Sequence, residues 1–395
     1  MHYNNVGIIA EFNPFHNGHA YFLREARRLT NADNLVVIMS GSFTQRGEVA
    51  VYDKFTRAKW AIQHGADMVI ELPDVFSLSS AEFFSGTSIK LLQGAGIIDG
   101  ICFGSESGSI DFLRTAADTA VDQAALQTLL KSGLSYPAAM HRASDKKAPS
   151  LPNDILAVEY LRAVKSFAPG FKTCTVKRIG SGYSDTELSG AYSSATAVRK
   201  LLYAGEEKKA CTALPKAVSD DILSRRKTLS FADTELLSDI CLYTLRTLGP
   251  SRIGEIADVS EGLENILYRS ALNSQSFSEL VFNVKSKRYT LARIKRIVLS
   301  SVLGITRELR NDFFASPDAL FIRILGINRN KCELLSELCR NSTLPVIMRH
   351  SDLKKLSGKS AQLFELTATA NSVRALADPA DKSAKDEFAN ALIMV

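Results

Sequence analysis

The chain has 395 residues, 46% hydrophobic and 23% charged, with a formal net charge of +6. That composition excludes a chain disordered throughout, and the length exceeds the roughly 250–300 residues at which one hydrophobic core stops growing, so two domains are expected. The mild basic excess permits an acidic partner such as a nucleotide or RNA without requiring one. Cys102, Cys174, Cys211, Cys241, Cys332 and Cys339 form no C-x-x-C pair and fit no zinc spacing, so they read as the reduced thiols of a cytoplasmic protein. Cys332 and Cys339, seven apart on one helix face, read as core. The first apolar run, residues 6–10, is too short for a signal peptide, and no stretch reaches the ~20 apolar residues of a membrane helix.

In chain order, apolar runs at 6–10, 35–39, 67–72 and 97–103 predict strands, and the patterns at 18–29, 54–64 and 81–92 predict helices between them. That alternation predicts a parallel, Rossmann-like sheet with right-handed crossovers, covered on both faces. Residues 110–134 read as helix, 144–152 (with Lys146 and Lys147) as loop, and 153–167 as helix with Asn153 as its N-cap. A strand at 171–179, a polar loop at 180–189 and a helix at about 194–203 follow. Beyond the charged segment 205–209 the pattern is mainly helical, with one further strand candidate at 344–348.

The segment Glu11-Phe12-Asn13-Pro14-Phe15-His16-Asn17-Gly18-His19 lies between a strand and a helix. Ligands of parallel α/β sheets bind at the carboxyl ends of strands, and a helix N-terminus offers unpaired N–H groups to phosphate. Gly18 permits close backbone approach, and Pro14 stiffens the loop. His16 and His19, three apart, can both donate to a departing pyrophosphate. Two other readings stand beside this: half a metal site, or a structural cap of the helix. A second Ser/Thr-rich helix start, Ser193-Ser194-Ala195-Thr196-Ala197-Val198-Arg199, could hold phosphates through its hydroxyls, its N–H groups and Arg199, or be an ordinary N-cap. Arg46, Lys54 and Arg57 follow the second strand and could line the same cleft or touch RNA; a solvated helix face is the alternative. Lys285, Lys287, Arg288, Arg293, Lys295 and Arg296 form a basic stretch, and no Asp or Glu occurs from 280 to 307. With Leu291, Ile294, Val298 and Ile305 facing a core, these cations would project outward to track an RNA backbone, with Lys287, Arg288, Arg293 and Arg296 in contact.

The His16-Asn17-Gly18-His19 element resembles the nucleotidyltransferase superfamily that includes class I aminoacyl-tRNA synthetases and adenylyltransferases. The longer string from Gly7 to His19, with 40–48, Asp53-Lys54, Arg57-Ala58, 65–67, Glu71-Leu72-Pro73, 102–106 and Leu151-Pro152-Asn153, resembles the bacterial tRNA(Met) cytidine acetate ligase family. The resemblance implies a catalytic domain at 1–204 and a mainly helical, tRNA-binding domain at 205–395. It implies ATP contacts at Ile8, Ile9, Ala10, Glu11, Phe12, Asn13, Pro14, Phe15, His16, Asn17, Gly18 and His19, then Gly104, Asn153 and Arg178, with Ser194, Thr196 and Arg199 as the superfamily's second signature. His16 and His19 would be the catalytic pair. Where the family carries Tyr-His-Asp this chain has Tyr183-Ser184-Asp185, so no role of that histidine transfers. The implied reaction uses ATP and acetate to acetylate the wobble cytidine of elongator tRNA(Met) through an acetyl-adenylate. Magnesium is expected from nucleotide chemistry alone, with no carboxylate cluster to mark it. Adenylyl transfer to a small phosphorylated metabolite, and RNA binding without catalysis, are the alternatives.

Overall fold

A computed structural model of the chain describes residues 2–144, 148–179, 192–225, 231–260, 262–380, 382, 383, 387 and 392–395. Lys146, Lys147, the loop at 180–189 and its Tyr183-Ser184-Asp185 lie outside the described residues. Strand β1 (Tyr3–Ala10) runs through α1 (Asn17–Thr30) into β2 (Ala32–Ser40), which pairs parallel to it from Tyr3↔Ala32 to Ala10↔Met39. An antiparallel hairpin, β3 (Phe43–Thr44) and β4 (Glu48–Val49), leads to α2 (Lys54–Gln63), β5 (Met68–Leu72), α3 (Asp74–Ser77) and α4 (Ala81–Gly94). The chain then crosses back: β6 (Gly100–Ser105) pairs parallel on the other side of β1. Helices α5 (Ile110–Asp118), α6 (Gln123–Lys131), α7 (Tyr136–Ala143) and α8 (Pro152–Phe167) precede β7 (Lys172–Lys177), parallel to β6. Then come α9 (Ala195–Tyr203), α10 (Glu207–Ala210), α11 (Lys216–Ser224), α12 (Ser238–Ile253), α13 (Leu263–Asn273), α14 (Phe277–Val284), α15 (Leu291–Leu303) and α16 (Arg307–Ala315). The last part returns to the sheet as β8 (Ile322–Ile327), α17 (Cys332–Asn341), β9 (Val346–Ile347), α18 (Gly358–Leu376) and β10 (Ile393–Met394). The strand order is β10-β8-β5-β2-β1-β6-β7, with β9 also on β8. All described pairings in this sheet are parallel except β5 with β8.

Side chains of a strand alternate between faces, and both faces are apolar. Leu35, Val37 and Met39 join Leu23, Ala26, Trp60 and Ala61 under α1 and α2. Val36 and Ile38 join Phe84, Leu91 and Leu92 of α4 on the other face, in a core that continues through Leu245, Ile294 and Phe313 to Leu363. This second core spans the 204/205 division. Because β8 pairs with β5 and Ile324 packs in the same cluster, cutting there would expose the edge of β5 rather than separate two bodies. The run 320–327 escapes a period-based reading because it is a short apolar string carrying Arg323 among helices. Its cation is nevertheless buried.

Smaller departures have local causes. The 110–134 helix is two, restarted where Asp122 accepts from the N–H groups of Ala124 and Ala125. Helix α8 starts at Pro152, a residue pre-set for a first turn, so its N-cap is Leu151 and not Asn153. Cys332 and Cys339 are exposed; the buried face of α17 is carried by Leu334 and Leu338 instead.

Lys54 and Arg57 do not reach solvent. Lys54 is fully buried, with Nζ 2.7 Å from Glu71 Oε1 and paired also with Glu387. Burial works against its charge, but the two carboxylates outweigh burial and raise its pKa. Arg57 is buried among backbone carbonyls. A cation whose charge is spent on interior partners has none to offer an RNA backbone, so both residues are corrected to structural roles. Lys54→Ala would leave Glu71 and Glu387 buried without their counter-charge, so urea denaturation is expected to show a loss of about 3–5 kcal/mol. A variant as stable as the parent would contradict this burial.

Candidate active site

The strand order reverses at β1, so a crevice opens between the carboxyl ends of β1 and β6. The bend after β1 is pinned over it. Arg57 donates to Glu11 O (2.7 Å), Ser40 O (3.0 Å) and Tyr52 O (3.0 Å), and also to Gly41 O. Asn13 Oδ1 accepts from Val51 N–H at 2.8 Å, and Asn13 O accepts from Arg199 at 2.8 Å. Phe12 takes a left-handed φ of 49°, a costly conformation for a bulky residue, held by edge packing on Phe15 and His19.

His16 is the N-cap of α1. Its Nδ1 accepts from Gly18 N–H at 3.0 Å, and His19 Nδ1 accepts from His16 N–H at 3.2 Å, a capping box built from two imidazoles. A Cβ at residue 18 would lie 2.8 Å from the His16 ring, which explains the glycine. With both Nδ1 atoms accepting, each neutral ring carries its proton on Nε2, a tautomer assigned from these bonds. The rings stack at 3.8 Å. Burial, then Arg178, Arg199 and Arg46, push His16 down to about 3; burial and then His16 hold His19 well below the usual value. The structural reading of the pair as a helix cap holds, and the same capping fixes the tautomer that leaves two N–H donors.

The opposite wall is cationic. Arg46, at the tip of the β3–β4 hairpin, donates to Thr196 Oγ1 at 2.7 Å. Arg199 lies 2.9 Å from Glu48 Oε2, whose other oxygen is 2.7 Å from Lys295 Nζ. Burial would raise the Glu48 pKa, but Arg199 and Lys295 overcome it and hold the carboxylate below its ordinary range. Ser194 caps α9 through Ala197 N–H at 3.1 Å. Gly104 lies within β6 rather than after a strand, and a Cβ there would meet nothing nearer than Arg178 Cγ at 3.5 Å. Asn153 donates to Glu106 Oε1 at 2.5 Å, while Asp154 accepts from Glu106 N–H at 2.9 Å; this exchange fastens α8 to the end of β6.

The cleft brings together Ile9, Ala10, Glu11, Phe12, Asn13, His16, Gly18 and His19 with Gly104, Asn153, Arg178, Ser194 and Arg199. Ile8, Pro14 and Phe15 are buried behind it, so any ligand contact of theirs is through backbone. Asn17 and Thr196 are not on its wall; Thr196 acts through Arg46. On α15, Arg293 donates to Asp258 O (2.8 Å) and Ser260 Oγ (2.6 Å), and Arg296 to Gln45 O (3.0 Å). These two arginines are corrected from outward RNA contacts to inward fasteners. Asp258 O lies within reach of Arg293, and the hairpin tip within reach of Arg296. Lys287 is exposed and Arg288 half-buried. Glu48, Glu106, Tyr21 and Phe22 went unassigned by sequence reasoning. Glu48 and Glu106 stood in recognisable strings, and a lone acid close to Arg46 was the available signal for Glu48. Nothing in the sequence marks the two aromatics, which line the cleft from α1. Among the described residues no group of three or more His, Cys, Asp and Glu could hold a metal ion.

The family model described as HIGH Nucleotidyl Transferase matches residues 3–388. The tRNA(Met) cytidine acetate ligase of Thermoanaerobacter sp. (strain X514) is 37% identical, covering 98% of this chain and 99% of that protein. This chain belongs to the tRNA(Met) cytidine acetate ligase family. A further member, from Clostridium perfringens (strain ATCC 13124), is 33% identical with 99% of each chain covered. Among solved structures, Thermotoga maritima TmcAL superimposes with a TM-score of 0.92 as the apo form and 0.90 bound with alpha-thio ATP, each at 30% identity over 99% of both chains.

The imidazole pair makes a spectroscopic prediction. Nitrogen-15 NMR should show His16 and His19 as neutral Nε2–H tautomers from about pH 5 to 8, where a free imidazole titrates. An imidazolium signal from either ring in that window would overturn the assignment. Because the folded pKa values are depressed, the pair's stabilisation is complete above the unfolded value of about 6.5. For His16 it drains away as pH falls from there toward about 3.

Proposed function

We propose that this chain is an ATP-dependent ligase that acetylates N4 of the wobble cytidine, cytidine 34, of elongator tRNA(Met). The observation that carries the reading is the neutral imidazole pair, locked by backbone N–H groups with Nε2–H as the remaining donor, in the field of Arg46, Arg178 and Arg199. In the first step an acetate oxygen attacks the α-phosphorus of ATP and the bond to the bridging oxygen of pyrophosphate breaks, giving acetyl-adenylate. Charge growing on the leaving pyrophosphate is met by donors that need no reorganisation. In the second step N4 attacks the acyl carbon, AMP leaves with the bonding pair, and N4 sheds a proton. N4 is a weak nucleophile because its lone pair is delocalised into the ring, so the mixed anhydride supplies the activation and exclusion of water preserves it. Among the described lining residues Glu11 is the carboxylate that faces this chemistry. Burial raises its pKa against the pull of the Gln45 N–H and Arg46, which suits it to accept that proton.

Among the described residues no helix is long and apolar enough to cross a membrane; we place the enzyme with its tRNA in the cytoplasm. A metabolite adenylyltransferase would share the histidine chemistry but would keep the adenylyl group on its product, releasing pyrophosphate and no AMP.

The direct test supplies ATP, labelled acetate and an elongator tRNA(Met) transcript. The expected result is label in N4-acetylcytidine matched by AMP, and none on a transcript with uridine at the wobble position. Folded protein that forms no acetate-dependent AMP would refute the reading. His16→Asn keeps a capping acceptor while removing the Nε2 donor, so kcat is expected to fall about 10²–10³-fold with an unchanged melting temperature. His16→Ala should lose both activity and about 1 kcal/mol of stability. Gly104→Ala should fold normally, given its spacing, and raise KM for ATP about tenfold if the nucleotide packs on bare backbone; an unchanged KM would remove Gly104 from the nucleotide site.

A further inference from the structure

Phe282, on α14, is 75% exposed, the most exposed large hydrophobic side chain among the described residues. Lys285 stands one helical turn on, and Lys287 follows; both are exposed, with Arg288 half-buried and its guanidinium 5.9 Å from the Tyr289 ring. The loop that carries them has a defined shape. Lys285 N–H donates to Val281 O at 3.1 Å, Tyr289 N–H to Ser286 Oγ at 3.3 Å, and Thr290 caps α15. From this loop α15 advances about 6 Å along its axis, at 1.5 Å per residue, before Lys295 grips Glu48 behind Arg199. The cations of this loop therefore sit within a few nucleotides of single-stranded RNA of the Lys295–Glu48 pair, and Phe282 precedes them on the same stretch of chain.

Single-stranded RNA is recognised by stacking of splayed bases on aromatic rings, with nearby cations following the backbone. The neighbours of Phe282 in the chain, Asn283 and Lys285, are polar and exposed, and an exposed ring flanked by cations is the pairing that single-stranded RNA uses. We propose that Phe282 is a stacking platform for an unpaired base of the anticodon loop beside the cytidine that enters the cleft, and that Lys285, Lys287 and Arg288 track the adjoining phosphates. This rests on the tRNA reading above.

The test measures steady-state acetylation of the elongator tRNA(Met) transcript together with its binding across a salt series. Phe282→Ala is expected to raise KM for tRNA five- to tenfold while leaving KM for ATP and acetate and the melting temperature unchanged, and Phe282→Trp should restore it. Replacing Lys285, Lys287 and Arg288 together by Ala should flatten the slope of log K against log salt by about two to three. The proposal fails if Phe282→Ala acetylates tRNA like the parent, if Phe282→Leu restores activity as fully as Phe282→Trp, or if sedimentation shows that Phe282→Ala disrupts self-association with tRNA affinity intact. If the unmodified protein acetylates no tRNA at all, it is the substrate reading that fails and takes this proposal with it.

Discussion

A buried guanidinium holds the floor of the cleft. Arg57 collects carbonyls from the ends of β1 and β2 and from the turn before α2, groups that the sheet ladder leaves without partners once the strands diverge. Each would otherwise be a buried acceptor without a donor, a cost of about 1–3 kcal/mol apiece. Burial lowers the Arg57 pKa, and Arg374 adds to the effect, to about 10; the group stays charged at neutral pH. Arg374 performs a similar service one turn away, donating to Ala50 O and Val51 O. Only with these carbonyls satisfied can the bend after β1 turn inward and place His16 at the head of α1.

A second consequence of this packing is that the helical region braces the wall of the cleft rather than hanging from it. The β3–β4 hairpin is wedged between α9 and α15, and Glu48 is shared by Arg199 of one and Lys295 of the other. Gly47, at φ 73°, turns the hairpin where a Cβ would meet the α15 backbone at 2.5 Å. Any displacement of α15 is felt through Glu48 by Arg199 on the cleft wall.

What could be read from the sequence was whatever is local. The parallel sheet announced itself in short apolar runs, and the histidine pair three residues apart forms its capping box from its own neighbours. The fates of Lys54, Arg57, Arg293 and Arg296 were not legible, because a cation carries no mark of whether its partner is water or a buried group. The carboxylate of Glu387 lies 333 residues from Lys54 along the chain. Strand β8 was hidden for a related reason: its short apolar run carries Arg323, and its partner strand β5 lies about 250 residues earlier in the chain.

That separation along the chain has a consequence for synthesis. On the ribosome, β5 is complete about 250 residues before β8 emerges to pair with it. At 5–20 residues per second the nascent chain carries an unpaired strand edge, apolar at every position of β5 but Glu71, for roughly 10–50 s. Unpaired hydrophobic edges are templates for aggregation, so the topology that completes the sheet also gives the growing polypeptide a long interval in which a chaperone must shield it.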